Sequence, residues 1–435
     1  MTDPRYLAVK LLCKTFGSGG YSNIQLDSGL KSSDLDARGR SFCSALYYGV
    51  ISRRITLDHI IGGLSKRPLS KLEPAVLNIL RCGIYQLLYM DNVPDNAAVN
   101  ESVSLAKKFG RTSASGMVNA VLRNFVRREK KLDIKGNETE ALSVMYSVPE
   151  DIISSLVTDY GSERAEKQLA LSLEKPPVFL RMNKLRCSES EFIEALGDIQ
   201  AEKIADCCFS VESGDVTATE AFRRGLFHVQ DLSSQVCCMA LAPTERDTVL
   251  DICAAPGGKT FTMAELMNGK GRIFAFDLHE KRVKLIENGA ERLGLENITA
   301  AAGDAAKFYS ELPKFSKILC DVPCSGLGVI RRKPEIKYKS ISEFERLPEI
   351  QYAIAENALR YLDIGGELMY STCTLRKAEN DEVADRLLSS HPEIEPCPMP
   401  EMFGRDLGSR MTFFHDTFGE FAGDGFFTAK FRKIR

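Results

Sequence analysis

The sequence predicts an α/β protein: a doubly wound, mostly parallel, Rossmann-like domain that follows an all-α domain and a small α+β domain. Two observations support this fold class. From about residue 232 onward, short apolar strands alternate with helical stretches, whereas residues 4–130 carry apolar residues at helical spacing with few β-branched alternations. At 435 residues, the chain is long enough for three domains. We place them at residues 1–140, 141–232 and 233–435.

The first domain combines helical periodicity with a basic charge. One helix covers residues 6–12, another starts near Pro74, and two more cover 96–109 and 115–129. Residues 1–145 carry 21 Lys and Arg against 13 Asp and Glu, a net charge of +8, although the whole chain has a net charge of −2. This asymmetry is typical of a module that binds a polyanion, and a solvated basic face on an ordinary helical domain is the alternative.

Five basic residues crowd the end of the last of these helices. They are Arg123, Arg127, Arg128, Lys130 and Lys131. Cations at this position suit the helix dipole, and they equally suit contacts with a phosphate backbone. The sequence alone leaves both interpretations open.

The middle domain mixes the two periodicities after a polar stretch, residues 133–140, that reads as a linker. Alternation over 179–183 predicts a strand, and 189–196 has helical spacing. Residues 225–231 read as a strand that leads into a helix at Ser233.

The last domain repeats strand and helix. We predict strands at 248–252, 272–276, 298–301, 317–319, 367–370, 411–414 and 426–431, with helices at 279–293, 342–361 and 377–390. Repeated βα units of this length imply a mostly parallel sheet, which binds ligands at the carboxyl ends of its strands.

A glycine turn joins the first of these strands to its helix. Gly257 and Gly258 allow a ligand to approach the backbone closely. A phosphate-binding P-loop would need glycine where Cys253 stands, and the G-x-G-x-x-G spacing of dinucleotide sites is absent. A ligand without a pyrophosphate, namely S-adenosylmethionine, therefore fits this turn better than a nucleotide does.

Two carboxylates follow the next two strands. Asp277 lies twenty residues after Gly257, where an acidic residue bonds ribose hydroxyls in doubly wound folds. A helix N-cap is the alternative role for Asp277. Asp304 follows the third strand and is positioned to accept from an adenine amino group, a simple turn residue being the alternative.

Thirteen cysteines are present, none in a C-x-x-C pair and none with a histidine at zinc-ligand spacing, so we expect neither a metal site nor disulfides. Most should be small buried residues. Cys324 and Cys373 differ because each follows a strand among hydroxyl or glycine residues. Carbon 5 of cytosine attacks a methyl sulfonium only after a thiolate has added to carbon 6, so a thiol beside a sulfonium site predicts this reaction.

Three motifs carry a family resemblance. They are Asp251–Thr260, Asp321–Gly326 and Ser371–Thr374, and they resemble those of the RNA cytosine-5 methyltransferases of the NOL1/NOP2/Sun group. The segments 225–235, 331–338 and 425–427 resemble the same group, and the basic N-terminal domain resembles a NusB-like RNA-binding module. Together these stretches span nearly the whole chain.

The resemblance implies a role for each site residue. Cys373 is the nucleophile, Cys324 helps to release the product, and Asp321 faces both the cofactor and the cytosine. DNA cytosine-5 enzymes attack with the Pro-Cys thiol instead, so Cys373 favours RNA. The implied contacts with S-adenosylmethionine are Cys253, Ala254, Ala255, Pro256, Gly257, Gly258, Lys259, Asp277, Asp304 and Asp321. Tyr338 stands where the family has tryptophan, and it preserves an aromatic ring.

The implied substrate is 16S ribosomal RNA, with transfer RNA as an alternative that shares every catalytic residue. A non-catalytic RNA-binding or antitermination protein is a third hypothesis, suggested by the N-terminal domain alone. The basic residues of 331–337 either hold RNA phosphates or form a solvated loop. We expect a cytoplasmic monomer, because the sequence has no apolar run long enough to span a membrane and no signal peptide.

Overall fold

The computed structural model describes residues 2–18, 22–134, 136–212 and 214–435. Residues 1, 19–21, 135 and 213 lie outside the described residues; residue 135 falls in the predicted linker and the others in the predicted domains. The chain forms two compact units: Met1–Glu174 with Ile330–Ile341, and Lys175–Val329 with Ser342–Arg435. This division differs from the three predicted domains.

The first unit is all-helical. Its helices are α1 (Pro4–Ser18), α2 (Ser22–Lys31), α3 (Ala37–Ser52), α4 (Arg54–Leu64), α5 (Pro74–Tyr89), α6 (Asp95–Lys108), α7 (Ser115–Arg127), α8 (Glu138–Tyr146), α9 (Glu150–Tyr160) and α10 (Ser162–Leu171). Pro74 occupies the first turn of α5, as its fixed φ favours. The apolar stripes of these helices meet in one core in which Leu12, Val50 and Ile79 are fully buried.

The boundary at residue 140 was placed too early. Residues 141–171 are helical and belong to the first unit, not to the α+β domain. The α8 helix begins at a capping box formed by Asn137 and Glu140, and the Thr56 hydroxyl of α4 donates to the carbonyl of Val144 (2.6 Å). These packing contacts, which sequence periodicity does not reveal, assign α8 to the first unit.

The second unit begins with a small antiparallel sheet. Its elements are β1 (Val178–Met182), α11 (Glu189–Leu196), β2 (Ala201–Ala205), β3 (Cys208–Val211), α12 (Glu220–Arg223) and β4 (Phe227–Val229). The strand order is β2-β3-β1-β4. The sequence predicted β1, α11 and β4 but missed β2 and β3. On β2, the exposed pair Glu202 and Lys203 masks the alternation, and β3 is only four residues long.

The larger sheet is doubly wound, as predicted. Its elements are α13 (Leu232–Leu241), β5 (Thr248–Asp251), α14 (Gly258–Leu266), β6 (Arg272–Asp277), α15 (Glu280–Leu293), β7 (Ile298–Ala302), β8 (Phe315–Asp321), α16 (Leu347–Leu359), β9 (Leu362–Thr372), α17 (Asp381–Ser390), β10 (Ile394–Pro396), β11 (Arg410–Phe413) and β12 (Phe426–Lys433). The order is β10-β12-β9-β8-β5-β6-β7, with β11 on β12. Strands β5 to β9 pair in parallel, and β12 is antiparallel to β9.

The strand order reverses between β5 and β8, which creates a crevice at the carboxyl ends of these strands. Asp251, Asp277 and Asp321 are the last residues of β5, β6 and β8, and Cys373 follows the end of β9. The fully buried residues Leu250, Ile318 and Leu368 anchor the sheet. The fold therefore gathers the predicted polar residues at one edge.

Residues 330–341 leave the second unit between β8 and α16 and pack within the first. Lys337 is 1 % exposed, and its Nζ donates to the carbonyl of Ser52 (2.7 Å). The Tyr338 hydroxyl donates to the carbonyl of Ile51 (2.6 Å), and the Arg54 guanidinium lies 3.8 Å from the Tyr338 ring centroid. Lys337 therefore neither holds RNA phosphates nor forms a solvated loop, and both interpretations were wrong for this residue.

Across the part of the chain that the structure describes, no helix is both long and apolar enough to cross a bilayer. The same residues contain no group of three or more His, Cys, Asp or Glu side chains placed to hold a metal ion.

Candidate active site

The glycine turn leaves open space above the start of α14. Gly257 has a φ of +110°, a backbone conformation that residues other than glycine rarely adopt. A Cβ at this position would lie 2.4 Å from the Phe261 ring. A Cβ on Gly258 would meet only Gln230, at 3.9 Å. Gly257 is therefore required by the turn itself, and Gly258 leaves the backbone accessible to a ligand.

A cavity of about 180 Å³ lies over this turn. It is lined by Val229, Gln230, Ser234, Asp251, Cys253, Ala254, Ala255, Pro256, Gly258, Lys259 and Asp321. Six of the seven predicted turn residues thus line one cavity, and the seventh, Gly257, shapes the turn beneath it. Val229 ends β4, Gln230 follows it and Ser234 lies in α13. They fall within the segment 225–235 that resembles the family, but the sequence analysis did not name them as site residues.

Asp277 and Asp304 lie outside this lining. The Oδ2 atom of Asp277 accepts from the backbone N–H of Ala255 (3.3 Å), so this carboxylate ties the glycine turn to the end of β6. Its Oδ1 accepts from the N–H of His279 (3.3 Å), and Arg282 lies 3.3 Å from Oδ2. Asp277 is not the N-cap of α15, because that position belongs to His279. It stands at the strand end predicted for ribose binding and bonds the backbone on both sides of that position.

Asp304 follows β7 beside a narrow apolar pocket that Phe276, Ala305 and Tyr309 also line. Its Oδ1 accepts from the N–H of Ala306 (3.1 Å), as in a simple turn, and Lys307 lies 3.5 Å from Oδ2. The carboxylate remains partly exposed at the carboxyl edge of the sheet. The structure thus places Asp304 next to apolar surface at the carboxyl edge of the sheet.

Asp251 is a site residue that the sequence analysis did not single out. It is 1 % exposed, and Oδ2 accepts from the Thr260 hydroxyl (2.7 Å), whereas Oδ1 has no hydrogen-bond partner among the described atoms. Burial raises the pKa of Asp251 to about 7. A buried carboxylate oxygen without a donor is costly, and Asp251 lines the cavity, so a cationic ligand group would satisfy it. The donor set thus fits S-adenosylmethionine, which carries an ammonium group.

Lys259 and Asp321 join the glycine turn to the end of β8. Lys259 Nζ lies 2.8 Å from Asp321 Oδ2, and the Ser371 hydroxyl donates to Oδ1 (3.0 Å). Burial opposes the charge of Lys259, but the attraction of Asp321 outweighs it and raises the pKa of the amine above its usual value. The Asp321 side chain remains 27 % exposed. Lys259 and Ser371 therefore hold the Asp321 carboxyl group at the mouth of the cavity.

The two predicted thiols meet at the carboxyl ends of neighbouring strands. The sulfurs of Cys324 and Cys373 are 3.3 Å apart, and both residues are partly exposed. We expected most of the other cysteines to be buried, and Cys43, Cys82 and Cys320 are fully buried. The Cys373 sulfur and burial together raise the pKa of Cys324 well above that of an ordinary thiol. A protonated Cys324 can therefore donate to the neighbouring sulfur.

Residues 238–432 match the family described as 16S rRNA methyltransferase RsmB/F, and residues 2–127 match the NusB family. A Bacillus subtilis (strain 168) protein named probable ribosomal RNA small subunit methyltransferase B is 37 % identical over 448 residues, which cover 99 % of each chain. The chain belongs to the ribosomal RNA small subunit methyltransferase B family. This membership confirms the resemblance and the predicted fold class, a NusB-like helical domain followed by a Rossmann-like methyltransferase domain.

Solved structures agree with the family fold. The structure of PH0851 covers 100 % of this chain and 99 % of its own, with a TM-score of 0.83 and 22 % identity. NSun6 from Pyrococcus horikoshii, solved with SFG, an S-adenosylmethionine analogue, covers 66 % of this chain and 98 % of its own, with a TM-score of 0.61 and 22 % identity. At these identities the likeness concerns the fold.

Proposed function

We propose that the chain transfers a methyl group from S-adenosylmethionine to carbon 5 of a cytosine in 16S ribosomal RNA, through a covalent bond between Cys373 and carbon 6 of that base. The observation that carries this proposal is the thiol pair. Two sulfurs 3.3 Å apart stand at adjacent strand ends, next to a carboxylate that is bonded to the glycine turn. Methylation of an amine or a hydroxyl needs no thiol, whereas methylation of carbon 5 of a pyrimidine needs one to activate the ring.

The cavity residues would hold the cofactor, and Asp251 would accept from its ammonium group. The family match and the NSun6 structure with SFG support this choice of cofactor. Asp277 and Asp304 remain the proposed contacts for ribose and adenine, since both stand at carboxyl ends of the strands beside the turn. When bound, the cofactor supplies an electrophilic methyl group.

The chain's own residues then activate the base. The Cys373 thiolate adds to carbon 6, which forms a sulfur–carbon bond and makes carbon 5 nucleophilic. We assign to Asp321, in its carboxylic acid form, a hydrogen bond to N3 of the ring that stabilises the negative charge developing there during addition. After carbon 5 has accepted the methyl group, a base removes the carbon 5 proton. Elimination of the thiolate restores the aromatic ring.

Cys324 acts in the later steps of the reaction, when the product is released. Because its thiol keeps its proton and touches the Cys373 sulfur, it stabilises the departing thiolate by a hydrogen bond and takes part in the proton transfers of release. Loss of Cys324 should therefore slow release more than attack.

The first unit offers a surface for the RNA. A groove of about 720 Å³ has an apolar floor that includes the buried residues Val76 and Val121. Its rim carries four exposed cations, which form no ion pair within the described part of the chain: Lys66, Arg67, Lys71 and Arg127. The one rim carboxylate, Glu73, is already paired with Arg111. Such a groove fits single-stranded RNA, with phosphates on the rim and bases on the floor.

Two alternatives are less well supported. A transfer-RNA cytosine-5 enzyme would use the same thiols, and the family match favours ribosomal RNA. A non-catalytic RNA-binding protein would have no use for two thiols at strand ends. We expect the enzyme to act as a cytoplasmic monomer.

Replacing each thiol in turn tests the proposal. With methyl-labelled cofactor and 16S ribosomal RNA, Cys373→Ala should reduce methyl transfer by about 1000-fold or more, because the nucleophile is removed. Cys324→Ala should accumulate a protein–RNA adduct that survives a denaturing gel. Cys320→Ala, which removes a buried thiol outside the cavity lining, is the control and should transfer normally. Full activity of Cys373→Ala would overturn the proposal.

A further inference from the structure

A buried carboxylate adjoins the two thiol-bearing loops without lining the cavity. Glu379 is 0 % exposed and ends a 3-10 turn, Lys377–Glu379, that begins four residues after Cys373. Its Oε2 accepts from the backbone N–H of Ser325 (2.8 Å) and from Nε2 of Gln351 (2.9 Å), and its Oε1 accepts from Arg376 (3.1 Å). Three donors compensate for the cost of burying this charge.

Two of these contacts fix the backbone around Cys324. Ser325, which donates to Glu379, directly follows Cys324. Gln351, the second donor, also donates to the carbonyl of Pro323 (3.0 Å), which directly precedes Cys324. The Glu379 side chain therefore holds the cysteine loop on one side directly and on the other through an amide.

The neighbouring residue does the same for Cys373. The Asn380 amide donates to the carbonyl of Thr374 (3.0 Å) and accepts from the hydroxyl of Thr372 (2.5 Å), so both neighbours of Cys373 are held. The hydroxyls of Ser325 and Thr374 lie 2.7 Å apart and link the two loops. The turn that ends at Glu379 thus connects the backbones on both sides of the sulfur–sulfur contact.

We propose that Glu379 is a positioning residue that holds the Cys324 and Cys373 sulfurs at contact distance, so that the Cys324 thiol can donate to the Cys373 sulfur during attack and release. This inference rests on the proposed function, since it assigns a role to the same thiol pair. Glu379 touches neither the cavity nor the reacting atoms and acts only through the loops that it bonds.

The charge of Glu379 provides a readout that a purely structural role lacks. After the Cys373 sulfur and burial, the Glu379 carboxylate contributes to raising the pKa of Cys324. The titratable and charged groups around this carboxylate are Arg376, which pairs with it, Tyr370 and the two thiols, and Asp321 also acts on Cys324. Removing the negative charge should therefore shift the pH profile of the thiol pair to lower pH.

The test is Glu379→Gln in the full-length enzyme. We expect the kcat for RNA methylation to fall by roughly 10- to 100-fold because the sulfurs lose their alignment, with the KM for RNA changed by less than about twofold. The midpoint of the pH–rate profile, and of the pH dependence of Cys373 alkylation by iodoacetamide, should move to lower pH. Glu379→Asp, which keeps the charge, should restore the original midpoint.

Glu265→Gln is the matched control, because Glu265 is also a buried carboxylate of this unit, bonded to Arg181 at 2.6 Å and away from the thiols. It should lower thermal stability but leave kcat and the pH midpoint unchanged. Should Glu379→Gln not fold, Gln351→Met, which cuts the link to Pro323, should lower kcat by about fivefold or more. Wild-type kcat and pH midpoint in the folded variants would overturn the inference, provided that Cys373→Ala is inactive. An active Cys373→Ala would instead overturn the proposed function.

Discussion

The carboxylates of Asp251, Asp277 and Asp321 all stand at strand ends, but they differ in burial and in hydrogen-bond partners, and therefore in the role that each can take. Asp321 is partly exposed at the mouth of the cavity and bonds Lys259. Asp277 is buried and bonds the backbone of the turn. Asp251 is buried with one oxygen unbonded, and it is the carboxylate whose pKa burial raises to about 7. An unsatisfied buried oxygen in a cavity wall indicates a place kept for a ligand donor.

Asp251→Asn should weaken S-adenosylmethionine binding by about tenfold or more, because a hydrogen bond between charged groups is removed. The carboxylate form binds the ammonium, so wild-type affinity should rise as the pH increases from about 6 to 7.5 through the raised pKa. Lys259 and Asp321 are the charged groups around it, and both are retained in the variant. Isothermal titration calorimetry at the two pH values measures this.

Thr260→Val is the matched control, since it removes a hydroxyl donor to Asp251 and keeps the carboxylate. It should keep a pH-dependent affinity, whereas Asp251→Asn should lose that dependence. Equal pH dependence in the wild type and in Asp251→Asn would show that this carboxylate does not bind the ammonium.

At the residue scale, the sequence predicted the thiol pair because both cysteines follow parallel strands, whose carboxyl ends share one edge. It did not predict the role of Lys337, whose burial depends on residues almost three hundred positions earlier in the chain, at Ser52. Asp251 was passed over because its special feature, an oxygen without a donor, exists only once the neighbours are packed around it. Glu379 was also missed, because its hydrogen bonds to Ser325 and Gln351 exist only in the folded chain.

At the scale of elements, the alternation of strands and helices predicted the doubly wound sheet and most of its strands. The strands that were missed lack the pattern on which prediction rests. On β2 the exposed Glu202 and Lys203 break the alternation, and β10, Ile394–Pro396, is only three residues long. Helices α8 to α10 were assigned to the wrong unit because periodicity shows that a helix exists but not what it packs against.

The groove between α4, α5 and α7 carries the element-scale prediction. Lys66→Glu with Arg67→Glu should raise the Kd for single-stranded ribosomal RNA by about tenfold or more at physiological salt. It should also reduce the slope of log K against log salt by about 1 for each RNA phosphate that the groove no longer binds. Fluorescence anisotropy over a range of salt concentrations provides both values.

Lys10→Glu with Arg38→Glu makes the same change in charge on the first unit, at two exposed residues outside this groove. It should have a clearly smaller effect on the Kd and leave the slope nearly unchanged. If both pairs weakened binding equally, the effect would belong to the net charge of the unit and the groove would have no special role.

At the scale of the whole molecule, the chain runs from a helical NusB-like unit into a methyltransferase unit and returns to the first unit over residues 330–341. That return is invisible in the linear pattern, where 331–337 is only a basic loop after a strand. The sequence nevertheless predicted separate roles for RNA binding and catalysis. The net positive charge lies in the first unit, and the candidate catalytic thiols and carboxylates lie in the second.

The most direct measurement identifies the residue that bonds to the base. Wild-type enzyme is incubated with S-adenosylmethionine and a ribosomal RNA fragment containing 5-fluorocytosine. A base can remove a proton from carbon 5 but cannot remove fluorine in the same way, so the thiolate is not eliminated and the adduct accumulates. Protease digestion and mass spectrometry then locate the modified peptide. The account predicts a single adduct on Cys373, in the segment that follows β9. An adduct on Cys324, or full methylation of the unmodified RNA without any trapped adduct, would contradict it.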